Sequence, residues 1–235
     1  MPASIDHRKQ AKSLGDSAVV KGYLIAYNVS QMLGWIILMF MIVCHIYREG
    51  NVTLLYKEVE QVLLIFQTAA VLEIVHSSLG LVKSNPILTT FQVFSRVFLL
   101  WGVVWSVPQV QTEVYVFYFL IAWTITEIIR YSFYFFSLLG GVPYTLKWCR
   151  YTLFIALYPV GVMGEVMTIY SALPYVKASG LYSLFLPNPA NMSFNYFYYL
   201  WFILFSYIPV FPQLYGHMLS QRRKVICGGQ HAKQE

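Results

Sequence analysis

Six stretches of the chain are apolar for long enough to cross a bilayer, and short polar segments separate them. They run near 22–47, 60–81, 87–107, 114–139, 147–171 and 194–219. A helix needs about 20 apolar residues to cross roughly 30 Å of hydrocarbon, so each stretch predicts a transmembrane helix. The third stretch ends at Pro108 and the fourth follows after a very short turn, which predicts a tight hairpin. The loop 172–193 is the longest and is punctuated by Pro174, Gly180, Pro187 and Pro189. The pattern thus predicts an all-α integral membrane protein with one domain, a bundle of six transmembrane helices over 22–219. A basic tail, 1–21, precedes it and a second tail, 220–235, follows. No apolar core lies close enough to the start for a cleaved signal peptide, so 1–21 is expected to be a short cytosolic tail.

Composition supports this. Charged residues make up 11% of the chain against about 25% in a soluble domain. The net charge of +6 does not point to nucleic acid, because Lys and Arg collect in the cytosolic loops of membrane proteins. An even number of spans puts both tails on one side. That side would hold eleven of the 16 Lys and Arg and the other side three, with Arg96 and Arg130 inside spans. Both termini are therefore expected in the cytosol. Two N-glycosylation triplets, Asn51-Val52-Thr53 and Asn191-Met192-Ser193, fall in loops on the opposite side. Cys44, Cys149 and Cys227 are scattered, without metal or disulfide spacing.

The spans nevertheless carry polar residues at helical spacing. Span two has Glu73 and His76, span three Gln92 and Arg96, span four Glu127 and Arg130, span five Tyr158 and Glu165. Each pair lies three, four or seven residues apart and so shares a helix face. Lipid disfavours such faces, so they are expected to meet inside the bundle. Glu127 with Arg130 reads as a structural ion pair, and Glu73 with His76 equally well as a packing contact. A metal is not implied. Glu73-x-x-His76 is half of a di-iron pattern, but the second copy is absent, and Arg130 follows Glu127 where a ligand would be needed.

Residues 150–165 stand apart. They form an apolar run carrying one carboxylate, Glu165, with Pro159, Gly161 and Gly164 inside it. A carboxylate in a span is a candidate functional group. Glu165 has no cation at helical spacing on its own span, and Arg96 is the expected partner. Pro159 removes a backbone donor, which predicts a bend near Tyr158, at Pro159 to Gly161. Gly161 and Gly164 allow close approach of a neighbour or ligand.

Tyr158-Pro159-x-Gly161-x-x-Gly164-Glu165 resembles the signature of the very-long-chain (3R)-3-hydroxyacyl-CoA dehydratases, the protein tyrosine phosphatase-like A proteins. The runs Ala122–Ser132, Leu146–Tyr151 and Phe211–Tyr215 resemble the same family, over about residues 22–224. The resemblance implies a hydro-lyase of the endoplasmic reticulum membrane. It would take water from a long- or very-long-chain 3-hydroxyacyl-CoA to give the trans-2-enoyl-CoA in fatty acid elongation. It implies Tyr158 and Glu165 as catalytic residues, with Glu73, Gln92, Arg96, Glu127, Arg130, Arg150 and Gly161 in support. It also implies the elongase condensing enzymes and the two elongation reductases as partners, alongside membrane lipid. Some members end in a dilysine signal, whereas here Lys233 is third from the end.

The chemistry needs a base for the C2 proton and an acid for the departing C3 hydroxyl, and no cofactor. Glu165 suits the first role and Tyr158 the second; the exchanged assignment needs a phenolate beside Arg96 or Arg130. On a straight helix the two lie roughly 10 Å apart along the axis. With span five starting at Lys147, Tyr158 would lie roughly 16 Å deep, within reach of a pantetheine arm. Lys147 and Arg150, with Lys83, Arg222 and Arg223, would meet the CoA phosphates. Two rival classes are a non-catalytic membrane scaffold of the elongation complex and a small-solute transporter. The first has no need of a buried acid, and the second commonly shows an inverted repeat that this chain lacks.

Overall fold

The computed structural model describes residues 17–189 and 191–227. Helix α1 (Ala18–Glu49) is apolar over most of its 32 residues and closes at Gly50, whose φ of 65° suits glycine. Helices α2 (Leu55–Ala69) and α3 (Leu72–Ser78) share the second span, with an interruption at Ala70 and Val71. Helix α4 (Pro86–Val97) starts with Pro86 at its first position, and the Asn85 side chain accepts the Ile87 N–H. It passes directly into a π-helical stretch, Phe98–Trp105. A short 3-10 helix, Pro108–Thr112, then leads into α5 (Val114–Leu139). The expected hairpin is held there by buried Gln111, whose amide donates to the Val104 carbonyl at 3.0 Å. Helices α6 (Tyr144–Thr152), α7 (Phe154–Ser179) and α8 (Tyr196–Arg222) complete the order, and Arg223–Cys227 forms a final π-helical turn.

Six stretches are long and apolar enough to cross a membrane: Ala18–Glu49, Leu55–Ser78, Pro86–Trp105, Val114–Leu139, Phe154–Ser179 and Tyr196–Ile226. No β-strand occurs among the described residues, only a single bridge between Leu184 and Phe194 in the long loop. The first span starts earlier than expected and takes Lys21 into helix, and the last runs further. The fifth departs most from the expected 147–171. Tyr144–Thr152 is a separate helix with no buried residue, divided from α7 at Leu153. Lys147 and Arg150, three residues apart, give that segment a basic side, so it cannot be lipid-covered all round. The expected tails reach outside the described residues at 1–16 and 228–235, and Lys233 with them.

Helix α5 is the centre of the bundle. It packs on α1 along one side and on α7 along another. Its most apolar stretch is 44% buried, against 11% for α8, which sits at the edge. On α7 the buried small residues Gly161, Gly164, Thr168 and Ala172 form a stripe. A Cβ on Gly164 would lie 2.6 Å from the Phe119 backbone nitrogen and 2.8 Å from the Tyr115 carbonyl oxygen of α5. The two backbones thus touch at Gly164. At Gly161 the approach is looser, with the Ala122 Cβ at 3.3 Å. The Thr168 hydroxyl is satisfied within the helix by the Gly164 carbonyl at 2.7 Å.

Candidate active site

Charges in a bilayer interior must find partners. Glu127, 1% exposed on α5, receives Arg96 of α4 on one oxygen and the Arg130 Nε on the other, the latter at 2.7 Å. Arg130 also donates from both terminal nitrogens to Glu73 of α3, each at 2.9 Å, the two-pronged geometry that suits a guanidinium. The Tyr131 hydroxyl donates to Glu73 as well. Glu73, Arg96, Glu127 and Arg130 are therefore one network tying three helices, wider than the expected Glu127–Arg130 pair. His76 is not part of it. Its Nε2 meets the Tyr23 hydroxyl of α1 at 2.8 Å.

Glu165 is held differently. The Trp123 indole N–H of α5 donates to Oε1 at 2.8 Å, and the Tyr207 hydroxyl of α8 donates to Oε2 at 2.8 Å. Arg96 is not its hydrogen-bonded partner, contrary to the sequence expectation, because Glu127 takes the guanidinium first. Arg96 instead lies over the Trp123 ring, 5.2 Å from its centroid. It reaches Glu165 through that indole.

Tyr158 sits one turn inside α7, roughly 6 Å from the helix start rather than 16 Å deep, because the span begins at Phe154. Its ring stacks on Phe211 and on Tyr215 of α8, with centroids 5.2 and 6.1 Å away and ring planes 6° and 13° apart. Its hydroxyl makes no hydrogen bond among the described residues. Tyr207, Phe211 and Tyr215 recur every four residues, so one face of α8 lies along the α7 face bearing Tyr158 and Glu165. Pro159 leaves the Ile155 carbonyl without its usual helical donor, and the Tyr215 hydroxyl supplies one at 3.3 Å. Helix α7 is continuous across Pro159 to Gly161, and the chain is interrupted ahead of it, at Leu153.

Arg150 lies over the rings of Phe133 and Tyr134 at the end of α5, at 4.5 and 5.0 Å from their centroids. Lys147 shares its helix and is partly exposed. Gln92 is exposed on α4, outside the network. Gly161 faces Ala122 and serves packing between α5 and α7. Neither Trp123 nor Tyr207 was marked by charge or helical spacing, since neither stands in a charged pair, although Trp123 lies in a run that resembles the family. No cluster of metal-ligating side chains occurs among the described residues.

The geometry is that of a membrane-embedded acid and phenol on one helix face, braced by an ion network. The sequence model of the protein tyrosine phosphatase-like family, PTPLA, matches residues 67–228, and the chain belongs to this family. Its relatives include the mouse protein named very-long-chain (3R)-3-hydroxyacyl-CoA dehydratase 2. That protein is 54% identical over 215 residues, covering 92% of this chain and 85% of the relative. The Caenorhabditis elegans dehydratase hpo-8 is 43% identical, covering 92% and 99% of the two chains. The rice dehydratase PASTICCINO 2A is 42% identical, covering 90% and 96%. No solved structure matches the chain.

Proposed function

We propose that this chain is a very-long-chain (3R)-3-hydroxyacyl-CoA dehydratase of the fatty acid elongation cycle, with Glu165 and Tyr158 as its catalytic residues. The observation that carries the reading is the common face of α7 and α8. Along it a carboxylate held by two neutral donors shares the helix with a phenol whose hydroxyl has no hydrogen-bond partner among the described residues. Relatives more than half identical to this chain bear the dehydratase name.

Glu165 takes the C2 proton, which the thioester acidifies. The electron pair forms the C2–C3 double bond as the C3–O bond breaks, and the Tyr158 hydroxyl protonates the departing oxygen. Water and the trans-2-enoyl-CoA leave, and the proton on Glu165 returns to the phenolate. General acid and base in fixed positions supply this chemistry without a cofactor. The exchanged assignment loses support, because Glu127 and Glu73 hold the arginines that would have to stabilise a resting phenolate.

Glu73, Arg96, Glu127 and Arg130 brace the helices around this face, and Gly161 lets α5 approach. Gln92 stays a support candidate through its exposed position on α4. Lys147 and Arg150, on the short helix before α7, would receive the CoA phosphates, so that the thioester reaches Tyr158 one turn further in. The acyl tail would lie among apolar side chains and lipid. The basic residues favour both termini in the cytosol, around one six-helix catalytic domain. With an elongation role would go residence in the endoplasmic reticulum membrane, beside the condensing enzymes and the two reductases.

The test is turnover. Full-length protein in phospholipid nanodiscs should convert a long-chain (3R)-3-hydroxyacyl-CoA to the trans-2-enoyl-CoA. Glu165→Ala and Tyr158→Phe should each abolish the conversion while the protein stays folded. Absence of product from the unaltered chain would sink the proposal and favour a scaffold.

A further inference from the structure

Both oxygens of the Glu165 carboxylate are engaged, by donors from two different helices. Trp123 on α5 holds Oε1 and Tyr207 on α8 holds Oε2, each at 2.8 Å. The donors are themselves fixed. Trp123 is 2% exposed, packs on the Phe119 ring at 4.8 Å and lies under the Arg96 guanidinium. That guanidinium is pinned in turn by Glu127. A cation over an indole face draws electron density from the ring and makes its N–H a better donor. Tyr207 belongs to the α8 face whose neighbours Phe211 and Tyr215 stack on Tyr158.

Resting on the dehydratase reading, we propose that Trp123 and Tyr207 are positioning residues for that reaction. They form a two-sided clamp that fixes the direction in which Glu165 presents its free lone pairs to the substrate. A glutamate has three rotatable bonds, and a carboxylate with one donor can still swing about it. Two donors on opposite oxygens, from helices on either side of α7, remove that freedom. They also leave each oxygen a second lone pair for the C2 proton. Misplacing a reacting group by about 1 Å can lower a rate roughly 100-fold, so the clamp acts on kcat and leaves substrate affinity nearly untouched. The same arrangement assigns Arg96 a second task besides its ion pair, that of holding and polarising the Trp123 indole.

The experiment uses full-length protein in phospholipid nanodiscs, with kcat and KM measured on a long-chain (3R)-3-hydroxyacyl-CoA. Tyr207→Phe and Trp123→Phe should each lower kcat about tenfold or more, with KM within about twofold. The same substitutions made on top of Glu165→Asp, whose shorter side chain cannot reach the clamp, should change the residual kcat less than about twofold. A Phe variant that keeps its kcat overturns the clamp. So does one whose loss is equally large in the Glu165→Asp background, since that marks a general structural role. Where Tyr207→Phe does not fold, 3-fluorotyrosine at 207 keeps the shape and strengthens the donor; kcat shifted at constant KM supports the clamp, and unchanged kcat overturns it. Failure of the underlying reading looks different. In that case the unaltered protein forms no enoyl-CoA, or Glu165→Gln is as active as the unaltered chain, and the clamp falls with it.

Discussion

Replacing Gly164 by Ala probes the contact that sets the whole site. The added Cβ would lie 2.6 Å from the Phe119 nitrogen and 2.8 Å from the Tyr115 oxygen, both backbone atoms that cannot rotate away. A carbon needs about 3.5 Å from such atoms, so α5 and α7 must part by roughly 0.9 Å at this point. Overpacking of that kind lowers stability by about 1–3 kcal/mol. The neighbouring bond suffers too. Glu165 follows Gly164 directly, and Trp123 is one turn from Phe119, so the 2.8 Å indole–carboxylate bond stretches toward roughly 3.7 Å, beyond a useful hydrogen bond. Gly161→Ala is the control, because its Cβ meets only the Ala122 side chain at 3.3 Å and should lower stability by less than about 1 kcal/mol. Thermal unfolding in nanodiscs and turnover by the folded fraction, measured on both variants, give the result. A Gly164→Ala protein as stable and as active as Gly161→Ala refutes the argument that backbone contact at this glycine places Glu165.

Glu127→Gln strips Arg96 of its carboxylate inside the bundle and should lower stability by roughly 3–5 kcal/mol, read as a fall in melting temperature. Gln92→Ala, on an exposed position, should change melting by less than about 0.5 kcal/mol, so any loss of turnover there reports contact with substrate. Tyr215→Phe keeps the stack on Tyr158 but orphans the Ile155 carbonyl, for a loss of about 1 kcal/mol in the same assay. Lys147→Ala should raise KM for acyl-CoA with kcat unchanged, and the difference from the unaltered chain should shrink as salt rises.

Hydropathy made the number of helices and the class of fold legible, because a span must be apolar for its full length. Charge made Glu73, Arg96, Glu127 and Arg130 legible, because ionised groups in lipid are forced to meet. The bond pattern among them was not. Glu73 paired with Arg130 rather than with His76, and Arg96 with Glu127 rather than with Glu165, choices that depend on which helix faces point at α5. Trp123 and Tyr207 were hidden for a compositional reason. In a chain that is 18% aromatic, a Trp or Tyr on a span says nothing until a partner is seen. The start of span five was misplaced because hydropathy averaged over Tyr144–Thr152 blurs a short amphipathic helix into the apolar run behind it. Pro159 sits inside a continuous helix. The helix tolerates proline where another donor serves the freed carbonyl, and Tyr215 does so.

The network of two arginines and two glutamates has an electrical consequence. With both carboxylates ionised its formal charges cancel, so a potential difference across the bilayer exerts no net force on it. A single moved elementary charge would instead feel about 2.3 kcal/mol per 100 mV. Neutralising one member leaves an unbalanced elementary charge in the membrane field.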